Sequence, residues 1–158
     1  MDKYYVLHDK IIQSMKARRF EDVLSAVQET IPLYKDLVQK TKREYGAFDI
    51  QTSIAVDKGA KVAAALGRND ILKSMESTLR QISETGKCAD DVAKLIEDST
   101  IGNRIVQLVE QHPGLVQREL KAVLLAADQS RISNICYWLE KVGRVRREKE
   151  GKSYKLFI

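Results

Sequence analysis

Apolar residues recur at helical spacing along most of the chain. Tyr4, Leu7, Ile11, Ile12 and Met15 mark one face of a first helix over 2–18. From Phe20, the residues Leu24, Val27, Ile31, Tyr34, Val38, Thr41 and Tyr45 follow in alternating steps of four and three, a heptad-like stripe that keeps its phase through Pro32. Two readings fit. One long helix is kinked at Pro32, which the unbroken phase favours, or Pro32 opens a second helix at its first turn, where the missing N–H does no harm. Gly46 ends the segment, and Asp49 or Thr52 caps the next, whose small residues Ala55, Gly59 and Ala63 allow close helix packing. Gly67 closes that helix. Asn69 or Asp70 caps another, with Ile71, Met75, Leu79 and Ile82 inward and Gly86 at its end. A short helix over 89–96 leads to Asp98-Ser99-Thr100, an N-cap cluster that predicts a boundary between residues 98 and 99.

Beyond it, Ile101, Ile105, Leu108 and Val109 form one helix face, halted at His112-Pro113-Gly114. Gln117 to Ala126 reads as a second helix with Leu120, Val123 and Leu124 inward. Asp128 caps a third, running to about Val142, with Ile132, Ile135, Cys136, Leu139 and Val142 on one side and Gly143 as its stop. The period then changes from about 3.6 to 2. Val145 sits among Arg144, Arg146 and Arg147, a turn falls at Glu150-Gly151-Lys152, and Ser153 to Ile158 has strand composition. The expected fold is mainly α: a bundle of αα-hairpins over 1–98, then three helices and a two-stranded β-hairpin over 99–158.

At 158 residues, 44% hydrophobic and 31% charged, the composition suits one or two small globular domains and excludes disordered and collagen-like classes. The longest apolar run, Ala122 to Ala127, is far below the roughly 20 residues that cross a bilayer, and Met1-Asp2-Lys3-Tyr4-Tyr5 opens no signal region, so a cytoplasmic protein without a membrane partner is expected. Cys88 and Cys136 fall in helical segments and suggest neither a disulfide nor a metal site. His8 and His112 have no nucleophile at a recognisable spacing, and no phosphate-cradling glycine loop occurs, so no catalytic residue, cofactor or metal is expected. Charge does change the picture. Residues 1–99 hold 16 Lys+Arg against 16 Asp+Glu, whereas 100–158 hold 11 against 6, which places the whole net charge of +5 in the last third. Lys141, Arg144, Arg146, Arg147, Lys149, Lys152 and Lys155 fall within 15 residues of one another, a pattern that suits a polyanionic partner.

Three helices followed by a basic hairpin is the order of a winged helix-turn-helix domain. The stretch Trp138-Leu139-Glu140-Lys141-Val142-Gly143-Arg144-Val145-Arg146-Arg147, with Gly151 and Tyr154-Lys155-Leu156, resembles the recognition-helix end and wing of winged-helix regulators of the MarR and ArsR type. The resemblance spans roughly 101–158. Arg144 departs from the usual apolar residue after the glycine, and no metal-sensing cysteine pair is present, which removes the metal-sensor branch.

The resemblance implies a transcriptional regulator that binds double-stranded DNA, with RNA left open. Its third helix, about 129–142, would enter the major groove. Helical rotation puts Ser130, Asn134, Tyr137 and Lys141 opposite the apolar stripe, flanked by Arg131, Ser133 and Trp138. Ser130, Arg131, Ser133, Asn134 and Tyr137 would then read bases, Arg131 suiting guanine and Asn134 adenine. Gln117, Arg118, Lys121, Lys141, Arg144, Arg146, Arg147, Lys149 and Lys152 would meet the backbone. Trp138 is read as packing against the helical domain. The stripe from Phe20 to Tyr45 is either a homodimer surface or packing within the bundle. The alternative to a regulator is an adaptor whose winged helix holds protein partners in a larger assembly.

Overall fold

The structure, a computed structural model, describes residues 3–44, 50–82, 87–125 and 127–158, with side chains at 6–31, 33, 58–81, 89–125 and 127–158. Its helices are α1 (Lys3–Lys16), α2 (Phe20–Glu44), α3 (Ile50–Ala65), α4 (Asn69–Ile82), α5 (Lys87–Gln111), α6 (Leu120–Val123) and α7 (Gln129–Lys141). The strands are β1 (Leu115–Val116), β2 (Arg146–Glu150) and β3 (Ser153–Phe157), and a 3-10 turn spans Gln117–Glu119. The chain is thus mainly helical, with a small antiparallel sheet near its C-terminus.

The first apolar cluster gathers Leu7 and Ile11 of α1, Val23, Leu24 and Val27 of α2, Ala60, Val62 and Ala63 of α3, Ile71, Leu72 and Met75 of α4, and Ala89 and Val92 of α5. Helix α2 runs through Pro32 without a break, so one long helix forms there rather than two. Leu24 and Val27 of its stripe are buried inside the chain, with Phe20 and Ile31 packed beside them. That half of the stripe is intramolecular packing. The side chains of Tyr34, Val38, Thr41, Tyr45, Thr52, Ala55 and Ile82, and the turns at Gly46, Asp49 and Gly86, lie outside the described residues. Close approach explains the glycine in α3: a Cβ on Gly59 would stand 2.3 Å from Val27 Cγ2. Gly67 has φ +73°, and a side chain there would meet Asn103 Oδ1 at 2.3 Å.

The break expected at Asp98-Ser99-Thr100 does not occur. Helix α5 continues through it for 25 residues, and Ser99 is buried. Thr100 Oγ1 donates to the Ile96 carbonyl one turn back, at 3.2 Å, the alternative use of a hydroxyl that caps only where the chain leaves the helix. The same rod therefore serves a second cluster, of Ile105, Leu108 and Val109 from α5, Leu120 from α6, Ile132, Ile135, Cys136 and Leu139 from α7, and Val145 and Leu156.

The hairpin forms as expected, pairing Arg146 with Phe157 and Glu150 with Ser153 across a turn in which Gly151 has φ +57°. A third strand was not anticipated. β1 pairs Leu115 with Leu156, giving the sheet order β1-β3-β2. Two residues are too few to display a period of two. That pairing also shortens the helix expected over 117–126 to the 3-10 turn and the four residues of α6. Leu120 is buried, but Val123 is 53% exposed rather than inward, and Ala126 lies outside the described residues. No helix among the described residues is long and apolar enough to cross a membrane.

Substituting Gly59 by alanine should destabilise the helical layer. Overpacking typically costs about 1–3 kcal/mol, against about 1 kcal/mol of gained helix propensity. A net loss of roughly 1 kcal/mol in urea unfolding is expected, relieved when Val27→Ala is added.

Candidate nucleic-acid interface

Helix α7 begins where Asp128 accepts a hydrogen bond from the Arg131 backbone N–H at 2.8 Å. Its apolar side, Ile132, Ile135, Cys136 and Leu139, is buried against the second cluster. A second flank meets the N-terminal layer, where Trp138 and Val142 pack on the first cluster. The remaining side faces solvent. Ser130 and Asn134 are exposed, Tyr137 is 47% exposed, and Ser133 is half-buried. At the C-terminal end of this stripe the Lys141 ammonium lies 4.7 Å from the Trp138 ring centroid and 5.9 Å from that of Tyr137.

Arg131 is held from the side. Its Nε donates to Asp98 Oδ1 at 2.6 Å and its Nη2 to Glu97 Oε2 at 3.2 Å, both acceptors on α5. Partial burial pulls its pKa down, but Asp98, with help from Glu97, outweighs that and leaves it raised. Reading a base with Arg131 would require it to leave this pair. The sequence missed the pair because its partners stand more than thirty residues upstream.

The basic hairpin divides in the same way. Arg144 turns toward the N-terminal layer, its Nη1 donating to the Ala65 carbonyl at 3.0 Å and to Asn103 Oδ1 at 2.9 Å. Burial lowers its pKa, opposed by the charge of Glu110. Arg147 has a side chain only 10% exposed, salt-bridged to Glu140 at 3.0 Å and stacked 4.3 Å from the Tyr154 ring centroid. Neither guanidinium is presented to a backbone phosphate. Gln117 also differs from expectation: it is 4% exposed, because the chain at that point is a 3-10 turn leaving β1 and not a solvent-facing helix. Arg146 pairs with Glu148 and lies over Phe157 but stays exposed. Arg118, Lys121, Lys149 and Lys152 are exposed.

A further contact reaches α7 from the turn between α1 and α2. Arg18 has φ +58°, a left-handed conformation uncommon outside glycine, and its Nη2 donates to the Lys141 carbonyl at 2.9 Å. A cation on that carbonyl complements the negative end of the α7 dipole. Nothing in the sequence pattern marks Arg18 for this role.

Comparison with protein-family models, with curated proteins and with solved structures finds no match to this chain. Among the described residues no group of three or more His, Cys, Asp or Glu is placed to hold a metal ion. Burial pushes the Cys136 thiol up to about 12, with Arg147 opposing, so it is a packing group in the α7 core.

Two outcomes follow. Arg144→Ala strands the Ala65 and Asn103 oxygens and should cost about 1–3 kcal/mol in urea unfolding, with Arg144→Lys recovering only part. Cys136 should resist iodoacetamide at pH 8, read by peptide mapping. With the thiol raised to about 12, the reactive thiolate is scarce in the fold at that pH. Because the thiol is raised in the folded state, its contribution to stability is intact below the ordinary value of 9.0 and lost as pH rises from there toward 12.

Proposed function

We propose that the chain is a DNA-binding transcriptional regulator in which residues 99–158 act as a winged helix and α7 enters the major groove. The observation that carries this reading is the exposed polar stripe Ser130, Asn134 and Tyr137 on a helix whose other sides are both packed. A rigidly mounted helix with one polar face free is what reading base edges requires. Asn134, free of any carboxylate partner among the described residues, suits adenine. The hairpin supports the reading through Lys149 and Lys152, with Arg118 and Lys121 exposed after β1. Arg146 belongs with them, because an exposed ion pair such as that with Glu148 is worth about 0–1 kcal/mol and exchanges readily for phosphate. Ser133 has a secondary place at the edge of the stripe.

A second reading, the protein-interaction adaptor, is favoured by one feature. Val123 at the end of α6 is 53% exposed and Leu125 in the connection to α7 88% exposed, apolar surface that a protein partner would cover and a phosphate backbone would not.

Binding to a mixed-sequence duplex across a salt series separates the two. The regulator should bind with log K falling linearly with log salt, and Lys149→Gln with Lys152→Gln should lower that slope by about two, at roughly 0.9 per phosphate contact. On a duplex selected from a random pool, Asn134→Ala should lose about 1–3 kcal/mol, with little change on non-selected DNA. Absence of duplex binding, with partner capture lost on Leu125→Ser, would favour the adaptor.

A further inference from the structure

Between the N-terminal layer and α7 lies an open groove of about 370 Å³ lined by Met15, Lys16, Lys58, Lys61, Trp138 and Lys141. Four of these six side chains are lysines, drawn from α1, α3 and α7, and none of the described lining residues is acidic. Apart from Lys58 and Lys61, which are neighbours on α3, they are distant in a sequence whose first 99 residues carry no net charge, so neither the charge count nor any run of basic residues points to them. Lys16 and Lys141 end α1 and α7, where a cation also complements the helix dipole. That account does not extend to Lys58, which sits exposed in the middle of α3. Ammonium groups gathered around a concave surface raise the local positive potential, and low-dielectric walls focus that field on a polyanion.

Lys141 belongs both to the groove and to the end of the Ser130–Asn134–Tyr137 stripe, so the two surfaces are continuous. The lining offers lysine ammonium groups on flexible stems, with no guanidinium fork among the described residues. This is the chemistry of sequence-independent phosphate contact rather than of a fitted small anion.

We propose that this groove seats the sugar–phosphate backbone of the nucleic acid whose bases α7 reads, so that α1 and α3 are part of the interface. The inference rests on the DNA-binding reading of α7 and adds to it a second, non-hairpin set of phosphate contacts. It also gives the packing of Trp138 and Val142 on the N-terminal layer a function: holding α3 beside α7 fixes the spacing between the base-reading stripe and the second backbone contact.

The test compares four proteins on one mixed-sequence duplex over a salt series: the wild type, Lys16→Gln with Lys58→Gln, Lys16→Arg with Lys58→Arg, and Lys149→Gln with Lys152→Gln. Both groove residues are exposed, and unchanged thermal unfolding verifies the fold. The groove variant should lose about tenfold in affinity at moderate salt and lower the salt slope by about two, while Lys16→Arg with Lys58→Arg retains both. Wild-type Lys16 and Lys58 should also be shielded from amine acetylation by duplex. A groove variant that binds like wild type, with unshielded lysines while the hairpin variant is weakened, would overturn the groove and leave the DNA-binding reading intact. A wild type that binds no duplex would overturn both.

Discussion

Helix α5 is a single rod shared by two apolar clusters, and the position of α7 follows from that sharing. Its first part contributes Ala89 and Val92 to the N-terminal cluster, and its last part contributes Ile105, Leu108 and Val109 to the C-terminal one. At about 1.5 Å per residue the rod is nearly 40 Å long, and a break at Asp98-Ser99-Thr100 would let the two clusters move independently. Because the helix continues, Asp98 and Glu97 stand at a fixed height beside the start of α7, where they receive Arg131. Asn103 stands one and a half turns further on, where Gly67 leaves room for it and Arg144 reaches it. The seam between the layers is built from these polar contacts around an apolar centre of Trp138 and Val142.

The magnitudes indicate which of these contacts positions α7 and which only tunes it. Burying Ile132, Ile135 and Leu139 contributes roughly 1.5–3 kcal/mol each, as an upper estimate from area. The Arg131 pairs are partly exposed, and pairs of that kind are worth far less once solvent screening is counted. Apolar packing therefore mounts the helix, while the Asp98 and Glu97 pair sets the direction of one side chain upon it. This ordering leaves Arg131 able to change partners at modest cost without disturbing the helix that carries it.

The helices were legible in the sequence wherever periodicity ran for three turns or more. α1, α2, α4 and α7 fall close to their expected limits, and the Asp128 cap and the hairpin turn at Gly151 were readable from residue type alone. The misread places share one cause. Ser, Thr and Asp mark a helix start only where their own backbone is extended, and here α5, packed on α3 and α4, continues helical through them. Likewise β1 exists because Leu156 lies across from Leu115, and its pairing draws Gln117 inward. At the candidate site, rotation about the α7 axis puts Ser130, Asn134, Tyr137 and Lys141 opposite the apolar stripe, and the first three are exposed while Lys141 is half-buried, because that face is largely a local property of one helix. It could not tell which arginines were engaged, since Asp98, Asn103 and the Ala65 carbonyl are remote partners of Arg131 and Arg144.

That difference between arginine and lysine reshapes the meaning of the net charge. Arg144 and Arg147, each with a planar fork engaged by partners in the fold, are structural, and Arg131 is paired more loosely with α5, whereas Lys149 and Lys152, and the exposed Lys16 and Lys58 of the groove, are turned to solvent. The concentration of basic residues in the last third is thus partly structural, and the cations available to a polyanion are spread more evenly over the molecule than the sequence suggests. A protein with this division holds α7 by apolar packing that salt does not screen, with the partly buried Arg144 and Arg147 contacts screened only weakly. Contact with a polyanion would then rest on mobile ammonium groups that salt screens strongly, so the interface would weaken with ionic strength well before the fold does.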